Sequence, residues 1–140
     1  MSNEMTRSAA AIKKTTLFMN NMQNKVRIVN ALNSSTSLND EPPTKVFECV
    51  GIIIENGVRK GRSGNEDSPC ENTYILCADG KSYFSQSDGI ARSIKPIAEL
   101  FFSEDGSVDP GFENGFIPLV VRENKLTNGN TIKVIEIQFD

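Results

Sequence analysis

Residues 72–102 constrain the fold most, because a β-hairpin pattern runs directly into a helix pattern there. Residues 74–77 and 82–85 are rich in aromatic, β-branched and small residues, which favour short strands. Asp79 and Gly80 lie between them and tolerate the positive φ angles of a tight turn. The stretch therefore predicts an antiparallel hairpin.

The helix after this hairpin is predicted from a single apolar stripe. Ser87 or Asp88 can cap its first turn, because a short polar side chain accepts a backbone N–H at that position. The apolar residues recur at helical spacing and are Ile90, Ile94, Ile97, Ala98, Phe101 and Phe102. We expect the helix to bury this stripe.

Further strand patterns flank the hairpin and helix. Gly51 marks a candidate bulge in the first strand, whose second half is apolar on both faces and leaves two registers open. Asn128 and Gly129 are a hairpin signal before the last strand. The predicted strands cover residues 46–55, 73–78, 81–86, 116–124 and 131–139, and the helix covers residues 89–102. This order predicts a mainly β fold, a five-stranded OB-fold-like barrel with one helix between strands 3 and 4, plus an N-terminal arm.

The N-terminal arm and linker, residues 1–44, are polar and basic and precede the barrel domain, residues 45–140. Dense Asn, Ser and Thr argue against a stable long helix in the arm. Its apolar residues nevertheless carry a partial helical spacing; they are Leu17, Phe18, Met19, Met22, Val26 and Val29. Two interpretations stay open: the arm packs on the barrel, or Lys25 and Arg27 form part of a basic clamp on a nucleic-acid backbone.

Charge is unevenly distributed along the chain. The net charge is −3, which does not by itself indicate a nucleic-acid ligand. Residues 1–63 contain nine Lys or Arg and five acids, giving +4, whereas residues 64–140 contain six and thirteen, giving −7. A basic front half fits a local footprint for an anionic ligand, and it also fits a merely solvated surface.

Motifs for catalysis or metal binding are absent from the sequence. There is no His, and the three cysteines, Cys49, Cys70 and Cys77, include no CxxC pair. Cys49 and Cys77 lie in predicted strands and are expected to be buried thiols. The sequence thus predicts no enzyme, no metal site and no cofactor. It also shows neither a transmembrane stretch nor a signal peptide, so we expect a cytoplasmic protein that does not bind membranes.

The combination of aromatic residues and cations points to single-stranded nucleic acid, where rings stack on bases and cations follow phosphates. The predicted loop at residues 56–71 concentrates cations, as OB-fold loops on nucleic acid do, although a solvated hairpin tip has a similar composition. The candidate DNA-binding residues are Tyr74, Tyr83, Lys81, Arg59, Lys60, Arg62, Arg92, Lys95, Lys25 and Arg27.

Two neighbouring aromatic residues cannot share one face of a strand. We expect Phe84 to point inward and Tyr83 outward, because a phenol tolerates solvent better than a phenyl ring. The direction of Tyr74 stays open. Taken singly, each of these rings is more often core packing than a stacking platform.

The central block resembles that of single-stranded DNA-binding proteins from tailed phages of Gram-positive bacteria. The residues that carry the resemblance are Ala78-Asp79-Gly80, Lys81-Ser82-Tyr83, and the run Ser-Asp-Gly-Ile-Ala-Arg-Ser at residues 87–93. Residues 25–40 are similar to the lead-in that such proteins carry before strand 1, so the resemblance spans about residues 25–139.

This resemblance implies an OB-fold protein that coats and protects single-stranded DNA without sequence preference during phage replication, in the host cytoplasm. Single-stranded DNA is the implied partner, a DNA polymerase or another replication protein is a candidate partner, and self-association stays open. The alternative is a small β-barrel structural or adaptor protein that mediates protein–protein interaction, since a barrel carries no function by itself.

Overall fold

The computed structural model describes residues 12–17, 21–61 and 63–138, which contain seven strands, two α-helices and a short 3₁₀ helix at Leu38–Asp40. The strands are β1 (Ile12–Thr15), β2 (Thr36–Ser37), β3 (Phe47–Arg59), β4 (Ser68–Cys77), β5 (Ser82–Ser85), β6 (Ile117–Lys125) and β7 (Thr131–Ile137). The helices are α1 (Met22–Ser34) and α2 (Asp88–Leu100). Each predicted strand and the predicted helix has a counterpart in β3 to β7 and α2. Phe139, at the end of the last predicted strand, lies outside the described residues.

The strands form one curled, mixed sheet that resembles half a barrel. Its order is β2-β5-β4-β3-β6-β7, and β1 pairs with β3. β3 organises the sheet, because β4 follows one edge while β6 and β1 share the other. The register of β3 against β4 shifts between Cys49 and Gly51, which confirms the predicted irregularity at Gly51.

Helix α2 fills the place where a closed barrel would pair its third and fifth strands. No pairing joins β5 to β7 within the described residues. Ser93 of α2 instead accepts the backbone N–H of Ile135 at 2.8 Å. Gly89 permits this approach, because a Cβ there would lie 2.2 Å from the carbonyl oxygen of Lys133. The prediction of a five-stranded barrel with one helix is wrong in detail, because the described residues contain two further strands and a second α-helix. The mainly β, barrel-like architecture is confirmed.

Two apolar clusters pack against the sheet, one on each face. The main core lies inside the curl, where Ile52, Ile54 and Tyr83 pack with the apolar stripe of α2. The second cluster lies on the opposite, outer face, where Ile53 and Leu76 pack under α1. The central part of β3 is apolar on both faces because both faces are covered.

The described part of the N-terminal segment, residues 12–17 and 21–44, makes tertiary contacts with the sheet. Residues 22–34 form α1, so the expectation that no stable helix forms there is wrong. Asn21 caps the helix by accepting the N–H of Asn24 at 3.1 Å, and burial of Ile28, Ala31 and Leu32 compensates for its low intrinsic propensity. Met22, Val26 and Val29 of the predicted stripe are instead exposed; Phe18 and Met19 lie outside the described residues. Neither described helix is long and apolar enough to cross a membrane.

Candidate nucleic-acid interface

The two adjacent aromatic residues of β5 point in directions opposite to those predicted. Tyr83 is only 4% exposed and packs edge-on against Phe47, with ring centroids 4.9 Å apart. Phe84 is half-buried on the outer face. The prediction from side-chain polarity is wrong, because the buried phenol ring has a cationic neighbour. The Lys45 ammonium lies 5.5 Å from the ring centroid of Tyr83.

Tyr74 also lies on the outer face, but its ring offers no surface to a ligand. It is 1% exposed and belongs to the cluster under α1. Its hydroxyl donates a 2.8 Å hydrogen bond to Oε1 of the buried Glu55, and its ring centroid lies 6.2 Å from that of Phe84. Tyr74 therefore supports the outer face from below.

The outer face becomes polar toward the β3–β4 turn. Asn72 donates to Oε1 of Glu55 at 3.0 Å, and Gln86 donates to Oδ1 of Asn72 at 3.0 Å. A Cβ on Gly57 would lie 2.7 Å from Nδ2 of Asn72, so the missing side chain lets the amide lie flat across β3. We call this surface, formed by Gly57, Arg59, Asn72, Phe84 and Gln86, the outer strip.

Arg59 closes one end of the outer strip. Its Nη2 donates to the carbonyl oxygen of Gln86 at 2.5 Å and lies 3.3 Å from Oδ1 of Asp88. Strand pairing continues to Arg59 and Ser68, so the predicted loop at residues 56–71 is wrong, because residues 56–59 and 68–71 belong to β3 and β4. Lys60 is exposed in this turn, and the predicted Arg62 lies outside the described residues.

The candidate cations of α2 lie away from the outer strip. Lys95 pairs with Glu71 on the inner face, at 2.8 Å, and Lys13 of β1 pairs with the same carboxyl group at 2.8 Å. Hydrogen bonds from Lys13 and Lys95 hold the pKa of Glu71 below its usual range. The charge of Lys95 is thus partly neutralised within the protein. Arg92 is exposed on α2.

The remaining predicted cations gather at the opposite end of β4. Arg27 of α1 and Lys81 of the β4–β5 turn line one small cavity, while Lys25 is exposed on α1. Because β4 has ten residues, its two ends are about 30 Å apart. The structure therefore separates the described predicted cations into a group around the β3–β4 turn and α2 and a group around α1.

Sequence reasoning missed Asn72, Gln86 and Gly57, although a signal for the two amides was present. In an alternating strand, Asn72 shares a face with Tyr74, and Gln86 shares a face with Phe84. Gln86 already lies in the predicted strand at residues 81–86, and extending the strand at residues 73–78 by one residue to Asn72 places both amides beside the aromatic rings. The role of Gly57 depends on cross-strand register, which the sequence alone does not reveal.

The chain was compared with known proteins. Residues 7–138 match the family model of phi29-type phage single-stranded DNA-binding proteins. No curated protein and no solved structure matches the chain. The matched family is defined by DNA binding and is not a family of enzymes.

Proposed function

Because the chain belongs to the phi29-type family of phage single-stranded DNA-binding proteins, we propose that it coats single-stranded DNA without sequence preference during phage replication. The observation that carries the proposal is the outer strip, which combines a partly exposed Phe84 with neighbouring amides and the guanidinium of Arg59. The outer face of these strands is where OB-folds commonly bind oligonucleotides.

Phe84 is the proposed stacking platform for a base. Any base offers a π-face, so stacking contributes affinity without reading sequence. The ring lies over Tyr74 and is held from below by it. Arg59 and the exposed Lys60 then follow phosphates at the end of the outer strip.

The hydrogen bonds within the outer strip support binding without sequence preference. Asn72 and Gln86 could read base edges only with unoccupied donors and acceptors. Asn72 already bonds Glu55 and Gln86, and Nε2 of Gln86 also lies 3.5 Å from the carbonyl oxygen of Val58. These bonds involve Nε2 of Gln86 and both Nδ2 and Oδ1 of Asn72, which limits how the two amides can turn to select one base over another.

Coating follows from mass action. A protein that binds single strands more tightly than duplex shifts the equilibrium toward single strands by that difference in affinity. Since the net charge is −3, long-range attraction contributes little and the local contacts must supply affinity. A replication polymerase that copies the coated strand is the proposed partner, in the host cytoplasm.

Fluorescence anisotropy with labelled oligonucleotides of equal length tests this function. We expect oligo(dT), oligo(dC) and a mixed sequence to bind within a few-fold of one another at one salt concentration, and a duplex of that length to bind more weakly. Equal binding of duplex and single strand contradicts the proposal. The absence of any binding favours the alternative of a structural or adaptor protein.

A further inference from the structure

A small cavity of about 90 Å³ lies between α1 and the β4–β5 turn. Its polar lining comes from two distant segments: Arg27 and Asn30 of α1, and Lys81 and Ser82 at the turn. Ser82 also bonds Ser35, with the two Oγ atoms 2.8 Å apart, so the segments are joined beside the cavity. Neither segment forms this cavity alone.

The two charged groups of this cavity are hydrogen-bond donors. A guanidinium has five N–H donors, an ammonium has three, and neither has an acceptor. Within the described residues, Arg27 and Lys81 form no ion pair, and the contact of Arg27 with Oδ1 of Asn24 is long at 3.5 Å. Asp79 directs its Oδ1 to the backbone N–H of Lys81 at 2.9 Å and does not line the cavity.

The rest of the lining adds no negative charge. Leu76 and Ala31 are apolar, and the side chain of Cys77 belongs to the main core. Burial raises the pKa of the Cys77 thiol to about 12, so this group is neutral at pH 7. Two positive charges thus face a cavity whose wall contains no compensating anion.

We propose that this cavity binds one phosphodiester group of single-stranded DNA, held jointly by Arg27 and Lys81. This inference rests on the proposed function. The cavity is much smaller than the roughly 300–1,000 Å³ of pockets for drug-sized ligands, so it suits a small polar group and not a nucleobase. Arg and Lys are the side chains that most often contact DNA phosphates.

The position of the cavity agrees with a base stacked on Phe84. Ser82 and Phe84 share the outer face of β5, and two residues along a strand are about 7 Å apart. The cavity is therefore within reach of a phosphate that adjoins the stacked nucleotide. Because α1 supplies three of the eight lining residues, bound DNA holds α1 against the sheet, and α1 becomes part of the site.

The salt dependence of oligo(dT) affinity tests the shared phosphate. The variants are Arg27→Gln, Lys81→Gln and the double variant, with Lys125→Gln on the β6–β7 hairpin as the matched control. Each phosphate neutralised on a single strand contributes a slope of about −0.7 in log affinity against log salt. We expect the double variant to lose about 0.7 of the slope and the control to lose none.

Other results overturn this inference in identifiable ways. If the slope of the double variant falls by about 1.4, the two cations contact separate phosphates. If its slope is unchanged, neither cation contacts DNA. If the slope of Lys125→Gln falls as much as that of the double variant, the salt dependence reflects the net charge of the protein and not a specific phosphate site. Arg27→Lys keeps the charge and is expected to keep the slope, and hydrogen exchange of α1 without DNA reports whether each variant retains the helix. If the unmodified protein binds no oligo(dT), the proposed function itself is contradicted, and this result is distinct from those that contradict only the phosphate site.

Discussion

The ring of Phe84 lies 6.2 Å from the ring of Tyr74 on the outer face of the sheet, with the two planes inclined by 32°. Tyr74 is buried and bonded to Glu55, whereas Phe84 is partly exposed. The buried ring therefore positions the exposed one. This arrangement assigns different roles to two aromatic residues of one sheet face, and the roles can be separated by substitution.

Replacing Phe84 should weaken DNA binding more than it weakens the fold. We expect Phe84→Ala to reduce oligo(dT) affinity by about 1–3 kcal/mol, the usual contribution of one stacked base. Phe84→Leu keeps apolar packing but removes the π-face, so its affinity should fall nearly as much. Tyr83→Ala removes a core ring and should instead cost about 3–5 kcal/mol in unfolding free energy. Anisotropy and urea unfolding measure the two effects, and exchanged phenotypes contradict the observed orientation of β5.

Tyr74→Phe tests whether Tyr74 packs beneath Phe84 and does not itself contact DNA. The change removes the hydroxyl that donates to Glu55 at 2.8 Å but keeps the ring. Oε1 of Glu55 keeps its hydrogen bond from Asn72 at 3.0 Å, so the change removes one hydrogen bond, and we expect a loss of about 0.5–1.5 kcal/mol in urea unfolding. Oligo(dT) affinity of the folded variant should remain close to that of the unmodified protein. A large loss of affinity without loss of stability indicates that DNA contacts the phenol directly.

Much of the fold could be predicted from local patterns, because turn signals and an apolar helix stripe depend on neighbouring residues. Asp79-Gly80 and Ser87 are examples, and both lie where predicted. The direction of Tyr83 could not be predicted by polarity, because α1 makes the outer face apolar as well. The closure of the sheet by Ser93 and Gly89 is also inaccessible to local reasoning, since it depends on a contact with β7.

Gly89→Ala tests the closure of the sheet by α2. The new Cβ would lie 2.2 Å from the carbonyl oxygen of Lys133, so the helix must move away from β7 and weaken the bond between Ser93 and Ile135. Overpacking of this kind costs about 1–3 kcal/mol, and occasionally more. Arg92→Ala, on the exposed side of the same helix, is the matched control and should change stability by less than about 0.5 kcal/mol. Equal unfolding midpoints for both variants contradict this close approach.

The pair of lysines at Glu71 predicts a loss of stability in acid. The folded-state pKa of Glu71 is depressed below its ordinary value of 4.5, so its contribution is present above that value and is lost as the pH falls through the folded pKa. Urea unfolding from roughly pH 6 to 3 measures this dependence. We expect Glu71→Gln to be less stable than the unmodified protein at pH 6 and to show a smaller decline below pH 4.5. If the unfolding free energies of the two proteins change in parallel with pH, Lys13 and Lys95 do not stabilise the ionised carboxylate.

Photochemical crosslinking tests the central claim, that single-stranded DNA stacks on Phe84 at the outer face. An oligo(dT) containing 5-iodouracil is irradiated with the full-length protein, and the crosslinked tryptic peptides are sequenced by mass spectrometry. Cleavage after Lys81 and Arg92 yields one peptide, residues 82–92, that contains both β5 aromatic residues. We expect the crosslink within this peptide and on Phe84. A crosslink on Tyr83, or crosslinks confined to other aromatic residues such as Phe112 or Phe116, contradicts the claim.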